Sequence, residues 1–281
     1  MLRHVNRLYI ALWSKQPITS RWFSSGSINK EVIMWQEEFK KNFIEHAKSQ
    51  YPNECCGLLI DDGKKPFYMP CRNAAEKPDF DFSIHPVDLA TCESIGEIIG
   101  ICHSHPDATS RPSVADQANA YSLSTEYPKA DWYIFSWPEG DLHRFSPQKE
   151  SPPLIGRQFV HGVWDCYTMV MDYYKKELGI DIPDYERKDC WWEGDQELYL
   201  DNFESAGFTQ VCGSAPEDLK GFEFKIGDVV LMQIRSKLVN HAAVYVGDGY
   251  MIHHLYGRLS TKEVLGGYWL RSTRAIVRYN T

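Results

Sequence analysis

The sequence His-Ser-His-Pro at 103–106, followed by Ser113 and Asp116, constrains the fold more than any other part of this 281-residue chain. The mostly apolar residues 97–102 before it predict a buried strand. Because side chains alternate between the two faces of a strand, both histidines lie on one face. Pro106 ends the strand, and a short loop leads to a predicted helix with Asp116 in its first turn. Two imidazoles and a carboxylate placed in this way match the protein ligands of a catalytic zinc ion, whose fourth position stays open for water.

The same residues have a second interpretation that needs no metal. Ser113-x-x-Asp116 also fits a helix capping box, in which each side chain accepts a hydrogen bond from the other residue's backbone N–H. A metal-dependent hydrolase would in addition need a general base. Glu54, at the start of the predicted strand 55–60, is the candidate for that base.

Taken together, these residues resemble the JAMM/Mov34 metallopeptidase family, over about residues 35–145. The family pattern is a Glu, then His-x-His-Pro, then Ser-x-x-Asp, and the chain has Glu54, His103, His105, Ser113 and Asp116 at those places. The resemblance implies Zn²⁺ held by the two histidines and Asp116, with Glu54 as the acid/base group. It further implies that Ser113 stabilises the oxyanion and that a peptide or isopeptide bond is cleaved.

A second group of reactive residues lies in the other half of the chain. Cys166 follows an aspartate at the start of a predicted helix, where the positive end of the helix dipole lowers the pKa of a thiol. His241, at the start of a predicted strand, supplies a base, and a third polar group would orient its ring. His253 and His254, on the return strand, are both candidates for this third group.

The turn between these two strands decides which of the two histidines faces His241. A two-residue turn at Asp248-Gly249 pairs position 245 with position 252 and places His254 on the face of His241. A β-bulge at Gly249 adds one residue and places His253 there instead.

The region 157–279 resembles the NlpC/P60 cysteine peptidases. The similar features are the Asp-Cys pair that opens a helix, the stretch Asn-His-Ala-Ala-Val-Tyr-Val-Gly-Asp-Gly at 240–249, and the histidine that follows. That family has a papain-like α+β core and hydrolyses amide bonds in the stem peptides of bacterial peptidoglycan. The resemblance implies that Cys166 is the nucleophile, His241 the base and His253 the orienting residue. Tyr167 and Thr168 replace the small Ser-Gly pair that is common after the cysteine. This difference leaves undetermined which amide bond is cleaved.

The sequence predicts an α+β protein of two domains. Predicted helices cover residues 35–49, 86–94, 115–123 and 166–178, and predicted strands cover 55–60, 66–71, 97–102, 131–137, 142–145, 228–234, 241–246 and 250–255. The stretch 146–153, with three prolines and no apolar residue, has the composition of a linker. We therefore expect an extension at 1–33, a JAMM/Mov34-like α/β/α domain at 34–147, a linker at 148–156 and a papain-like NlpC/P60 domain at 157–281.

Composition excludes several other classes of protein. The net charge of −8 argues against nucleic acid as a partner, because no basic excess is present to neutralise phosphates. The eight cysteines form no C-x-x-C pair and no secreted disulfide framework, so we expect reduced thiols. No apolar stretch is long enough for a membrane span.

The first 33 residues do not resemble a secretory signal, and we expect an extension or a translation start at Met34.

The order of the two domains is similar to that in a family of tail assembly proteins of lambda-type siphophages. This resemblance implies other phage tail tip proteins and bacterial peptidoglycan peptides as partners. It also implies a location in the host cytoplasm during tail assembly, or at the tail tip of the virion.

Two classes of function are compatible with these residues. In one, the protein is an endopeptidase with a thiol site directed at peptidoglycan and a second, zinc-dependent peptidase site. In the other, it is a non-enzymatic assembly or docking factor whose hydrolase folds serve as interaction surfaces. The completeness of both residue sets favours the enzyme, because a scaffold does not need polar residues at catalytic spacing.

Overall fold

The computed structural model describes residues 30–188, 190–213 and 216–280 of the chain. These residues divide into two compact units, one ending at Lys149 and the other starting at Glu150. Residues 1–29 of the predicted N-terminal extension lie outside the described part. No helix in the described ranges combines the length and the apolar character needed to cross a membrane.

The first unit is a five-stranded sheet with helices on both faces. In chain order its elements are α1 (Lys30–Gln50), β1 (Cys56–Asp61), β2 (Phe67–Cys71), α2 (Pro86–Ile95), β3 (Glu97–Pro106), α3 (Val114–Leu123), β4 (Asp131–Trp137) and β5 (Leu142–Phe145). The strand order is β2-β1-β3-β4-β5. β3 and β4 run parallel, and the other neighbouring strands run antiparallel.

The helices of the first unit bury opposite faces of this sheet. α1 packs Phe39, Phe43 and Ala47, spaced four residues apart, on one face. α2 and α3 pack on the other face, where Leu89 and Ala120 join the core. Because the buried residues of these helices pack on both faces of the sheet, the unit has the three-layer α/β/α arrangement that the family resemblance implies.

The second unit is a six-stranded antiparallel sheet with α4 packed against it. Its elements are α4 (Cys166–Tyr173), a π-helical turn (Tyr174–Leu178), a 3₁₀ turn (Trp191–Glu193), α5 (Leu198–Asn202), β6 (Phe208–Cys212), α6 (Pro216–Leu219), β7 (Val229–Met232), β8 (His241–Gly247), β9 (Tyr250–His253), β10 (Thr261–Val264), α7 (Tyr268–Ser272) and β11 (Thr273–Tyr279). The strand order is β10-β9-β8-β7-β11-β6. The predicted α-helix 166–178 therefore changes to π-helix at Tyr174.

The core of the second unit joins α4 to the central strands. Met169 and Val170 of α4 pack against residues of β7 and β8, among them Leu231 and Val244. This contact holds the first turn of α4, which begins at Cys166, beside the start of β8, which begins at His241.

Candidate active sites

His103 and His105 lie next to each other on one face of β3. The strand continues past position 102 to Pro106, because β4 pairs with it in parallel over its whole second half. Both side chains are buried, and the two Nε2 atoms are 3.1 Å apart. The strand therefore brings the predicted histidine pair together.

Asp116 completes this group from the first turn of α3. Its Oδ1 lies 3.1 Å from Nε2 of His103, and its Oδ2 lies 3.4 Å from Nε2 of His105. Ser113 caps the same helix, where its Oγ accepts a hydrogen bond from Asp116 N and Ser113 N donates to Asp116 Oδ2 at 2.6 Å. The capping box is thus present, and it holds the Asp116 carboxylate against the histidines. The two interpretations of these residues are compatible.

The spacing of these three side chains fits a zinc ion. Their ligand atoms all lie within 4.8 Å of one another. In a tetrahedral site with metal–nitrogen bonds of about 2.0–2.1 Å, neighbouring ligand atoms are about 3.3–3.4 Å apart, close to the observed separations. Nδ1 of His105 lies 2.7 Å from the carbonyl oxygen of Thr109, so this nitrogen donates and Nε2 keeps its lone pair for a metal.

The register of two paired strands places Glu54 next to the histidine pair, although it is distant from it in sequence. β1 and β3 are antiparallel with Cys56 opposite His103, and Cys55 N donates to Ser104 Oγ at 2.8 Å. Extending this register by two residues places Glu54 opposite His105 on the same face of the sheet. The Glu54 side chain is only 2% exposed.

The side chains around this site set the protonation of Asp116 and pack against His103. Burial by itself would raise the pKa of Asp116, but the nearby imidazoles of His103 and His105 outweigh it, so the pKa lies well below the usual range. The ring of Phe82 stacks on His103 with centroids 4.4 Å apart, and Trp132 meets the same imidazole edge-on. Sequence reasoning missed both aromatic residues, because neither belongs to a recognisable pattern.

In the second unit, Asp165 fixes the start of α4. Its Oδ1 accepts from Thr168 N at 2.9 Å, and its Oδ2 accepts from Gly162 N at 2.9 Å and from Arg187 Nε at 2.7 Å. Arg187 is buried and also donates to Asp184. Burial by itself would raise the pKa of Asp165, but the Arg187 guanidinium lowers it well below the usual range. Arg187 carries no sequence signal, because it lies in an irregular segment.

Cys166 is buried under a tyrosine. Its sulfur lies 3.1 Å from the hydroxyl oxygen of Tyr199, which α5 supplies. Burial and the negative charge of Asp165 raise the pKa of Cys166 to about 11, and the weaker effects of Tyr199, the Ala242 backbone and Arg187 lower it. The overall shift is opposite to the lowered pKa expected for a thiol at a helix N-terminus, because loss of water and a neighbouring carboxylate both raise it. Tyr199 was not predicted as a site residue.

His241 and His253 are hydrogen-bonded to each other. Nε2 of His241 lies 3.0 Å from Nδ1 of His253, and both rings are buried. Strand pairing places His253 opposite Ala243, and therefore on the face of His241. Burial, followed by the neighbouring imidazoles, lowers the pKa of His241 well below its usual value.

A β-bulge explains why His253, and not His254, meets His241. The register shifts between Tyr245 and Gly247, so the extra residue is Val246, three residues before the predicted position of the bulge at Gly249. The extra residue reverses which side chains of β9 share the face of His241. His254 instead packs edge-on against Phe159, with ring centroids 5.1 Å apart.

Two family models match the chain, one for each half. The model of prokaryotic homologs of the JAB domain matches residues 36–146, and that of the NlpC/P60 family matches residues 156–278. Both matches agree with the predicted fold class, which is confirmed.

Two curated relatives are similar over most of the chain. The tail tip assembly protein K of Escherichia phage N15 is 39% identical over 238 residues, which is 84% of this chain and 92% of that protein. The tail tip assembly protein K of Escherichia phage lambda is 38% identical over 194 residues, covering 69% and 88%. A JAB1/MPN domain protein from Archaeoglobus fulgidus is 22% identical over 38% of this chain and 83% of its own, with a TM-score of 0.25, too low to add to the assignment.

Proposed function

The chain belongs to the family of tail tip assembly protein K of lambda-like phages, and we propose that it both takes part in tail tip assembly and cleaves stem-peptide amide bonds in bacterial peptidoglycan. The observation that supports cleavage most strongly is the 3.0 Å contact between His241 and His253, at the strand that α4 and its Cys166 pack against. A cysteine with a base that is itself oriented by a third group is the arrangement of thiol hydrolases.

The thiol chemistry assigns a role to each of these residues. Because the raised pKa keeps the Cys166 thiol protonated at neutral pH, His241 must take its proton as the sulfur attacks the carbonyl carbon. The protonated His241 then gives this proton to the leaving amine as the C–N bond breaks. Water hydrolyses the thioester and restores the thiol. His253 holds the His241 ring through the attack, and Tyr199 donates a hydrogen bond to the sulfur when it is charged.

We propose that His103, His105 and Asp116 hold Zn²⁺ in the first unit. When bound, this ion supplies a Lewis acid that activates water for attack on a peptide bond. Glu54, on the same face as the histidines, accepts and returns a proton. The Ser113 hydroxyl accepts a bond from Asp116 N, so its own hydrogen is available to donate to an oxyanion.

We also propose how the chain is divided into domains and where the protein acts. We assign the metallopeptidase-like domain to residues 34–147, the linker to 148–156 and the thiol peptidase-like domain to 157–281. Its partners are other tail tip proteins and peptidoglycan peptides. The protein acts in the host cytoplasm during assembly and associates with the phage tail.

One observation favours a second candidate function, in which the protein assembles the tail without hydrolysis. Cys166 is only 7% exposed and its pKa is raised, as in a buried, unreactive thiol. In that case the two hydrolase folds serve as docking surfaces for other tail proteins.

Mass spectrometry of peptidoglycan fragments separates the two functions. Purified sacculi are incubated with the wild type, with Cys166→Ala and with His103→Ala. We expect stem-peptide fragments with the wild type and their loss with Cys166→Ala, whereas His103→Ala removes only products of the metal site. If the wild type and Cys166→Ala release the same fragments, the thiol mechanism is wrong. If neither digests sacculi while both support tail formation, the assembly function is supported instead.

A further inference from the structure

Three neighbouring strands of the second unit place His241, His253 and Glu263 on one face. His253 of β9 is opposite Thr261 of β10, and Glu263 lies two residues further along, so it shares the face of Thr261. His241 reaches the same face from β8 on the other side of β9. The three side chains therefore form a row across the sheet.

Neighbouring side chains of this row lie close together, and one of the two pairs is hydrogen-bonded. Nε2 of His241 is 3.0 Å from Nδ1 of His253, and Nε2 of His253 is 3.7 Å from Oε1 of Glu263. Within the described residues, Nε2 of His253 makes no hydrogen bond, although the side chain is completely buried. The distance of 3.7 Å is too long for a direct hydrogen bond, but the carboxylate charge still acts on the Nε2 side of the His253 ring, which is shielded from water.

Glu263 is held in this place by a second contact. Its Oε2 accepts a hydrogen bond from Nε1 of Trp269 at 3.1 Å, and the Trp269 ring meets His253 with centroids 4.6 Å apart. One carboxylate oxygen is thus anchored, and the other is directed at His253. The Glu263 side chain is 41% exposed, whereas the His253 side chain is fully buried.

We propose that Glu263 is a positioning residue that selects the tautomers of both histidines, an inference that rests on the proposed thiol chemistry. A carboxylate near Nε2 of His253 favours a proton on that nitrogen, so Nδ1 of the same ring keeps its lone pair. Nδ1 then accepts a hydrogen bond from Nε2–H of His241. The remaining nitrogen of His241, Nδ1, is therefore unprotonated and free to take the proton of Cys166. Without the carboxylate, His253 can take the opposite tautomer, and Nδ1 of His241 would carry the hydrogen.

Other charged groups near His253 do not give this selection. Burial lowers the pKa of His253, the Glu263 carboxylate raises it, and the positive charge of Arg258 lowers it. The imidazole of His241 faces Nδ1 of His253, on the opposite side of the ring from Glu263. Glu263 is the negatively charged group among these neighbours that favours a hydrogen on Nε2.

The test compares Glu263→Gln with Glu177→Gln in the full-length protein. Glutamine at 263 keeps the size of the side chain and an oxygen for Trp269 but loses the charge, and the control removes one negative charge elsewhere in the same unit. The first readout needs no substrate: ¹H–¹⁵N NMR of the imidazole rings reports which nitrogen carries the hydrogen. We expect the Nε2–H form of His253 to lose population in Glu263→Gln and to stay unchanged in Glu177→Gln. Equal tautomer populations in the wild type and Glu263→Gln overturn the inference.

The second readout is hydrolysis of a stem peptide. We expect kcat of Glu263→Gln to fall by about 10-fold with KM unchanged, the low end for an outer group that orients a histidine. Trp269→Phe keeps the aromatic ring and removes the anchoring N–H, and we expect a smaller change in the same direction. A tautomer change without any wild-type hydrolysis supports the positioning by Glu263 and contradicts the proposed function. Wild-type hydrolysis with unchanged tautomers and kcat in Glu263→Gln overturns the inference and leaves the proposed function standing.

Discussion

The hydroxyl of Tyr199 lies 3.1 Å from the sulfur of Cys166, and the two groups are buried together. Tyr199 opposes the main influences on this thiol, because its hydrogen bond lowers the pKa of Cys166 while burial raises it. The residue that covers the sulfur therefore also makes it easier to ionise.

Tyr199→Phe removes this hydrogen bond and keeps the ring. We expect the pKa of Cys166 to rise above its value of about 11, and the alkylation of Cys166 by iodoacetamide at pH 8 to slow several-fold. The rate is measured by peptide mass spectrometry, which separates Cys166 from the other cysteines. Tyr185→Phe is the control, because the Tyr185 hydroxyl contacts Ser205 and not the sulfur. Equal rates in Tyr199→Phe and the wild type would show that the contact does not influence the thiol.

The histidine pair of the first unit can be tested by metal content. We expect about one zinc ion per chain after purification, because the three ligands form one site. His103→Ala should lose the ion, since two remaining ligands hold zinc weakly. His143→Ala in β5 is the matched control and should keep it. Elemental analysis by mass spectrometry measures the ratio, and full metal content in His103→Ala would contradict the assigned ligands.

The buried ion pair of Asp165 and Arg187 should matter strongly for stability. Arg187→Met leaves the Asp165 carboxylate buried with no opposite charge, which costs about 3–5 kcal/mol of unfolding free energy for such a pair. Denaturant unfolding, followed by fluorescence of the second unit, measures the change. Lys175→Met breaks the exposed pair with Asp181 and should change stability by about 1 kcal/mol or less. Similar losses in both variants would refute the special role of the buried pair.

Because several histidines are buried, we expect the free energy of unfolding to fall in mild acid. Burial, followed by the charge of Arg157, lowers the pKa of His254 from 6.5 to about 4. In this interval the unfolded chain binds a proton that the folded chain does not, so the free energy of unfolding falls as the pH drops from about 6.5 towards 4. Above 6.5 this histidine has no effect on the pH dependence.

His254→Phe should make this pH dependence less steep, because phenylalanine fills the space beside Phe159 without titrating. The free energy of unfolding is measured at pH 7 and at pH 5 in both proteins. Part of the slope should remain, since the pKa values of His241 and His253 are also lowered. An identical slope in His254→Phe and the wild type would mean that His254 does not stay neutral in the folded protein.

The sequence alone placed the residues that are close together along the chain. His103 and His105 share a face because strand side chains alternate, and Asp116 turns back because it caps a helix with Ser113. The position of Cys166 at the start of α4 follows in the same way from the Asp165 cap. Each of these relationships depends on backbone geometry within a few residues, which the sequence pattern reports directly.

Only the tertiary structure decided the relationships that depend on register and burial. The register of β1 with β3 places Glu54 opposite His105, and a bulge between Tyr245 and Gly247 brings His253, and not His254, to His241. A shift of one residue in a strand moves each side chain to the opposite face, so a turn sequence cannot settle this choice. The raised pKa of Cys166 likewise comes from packing that excludes water, to which residues distant in sequence contribute. Local geometry follows from neighbouring residues, whereas strand register and loss of solvent are set by the whole packed unit.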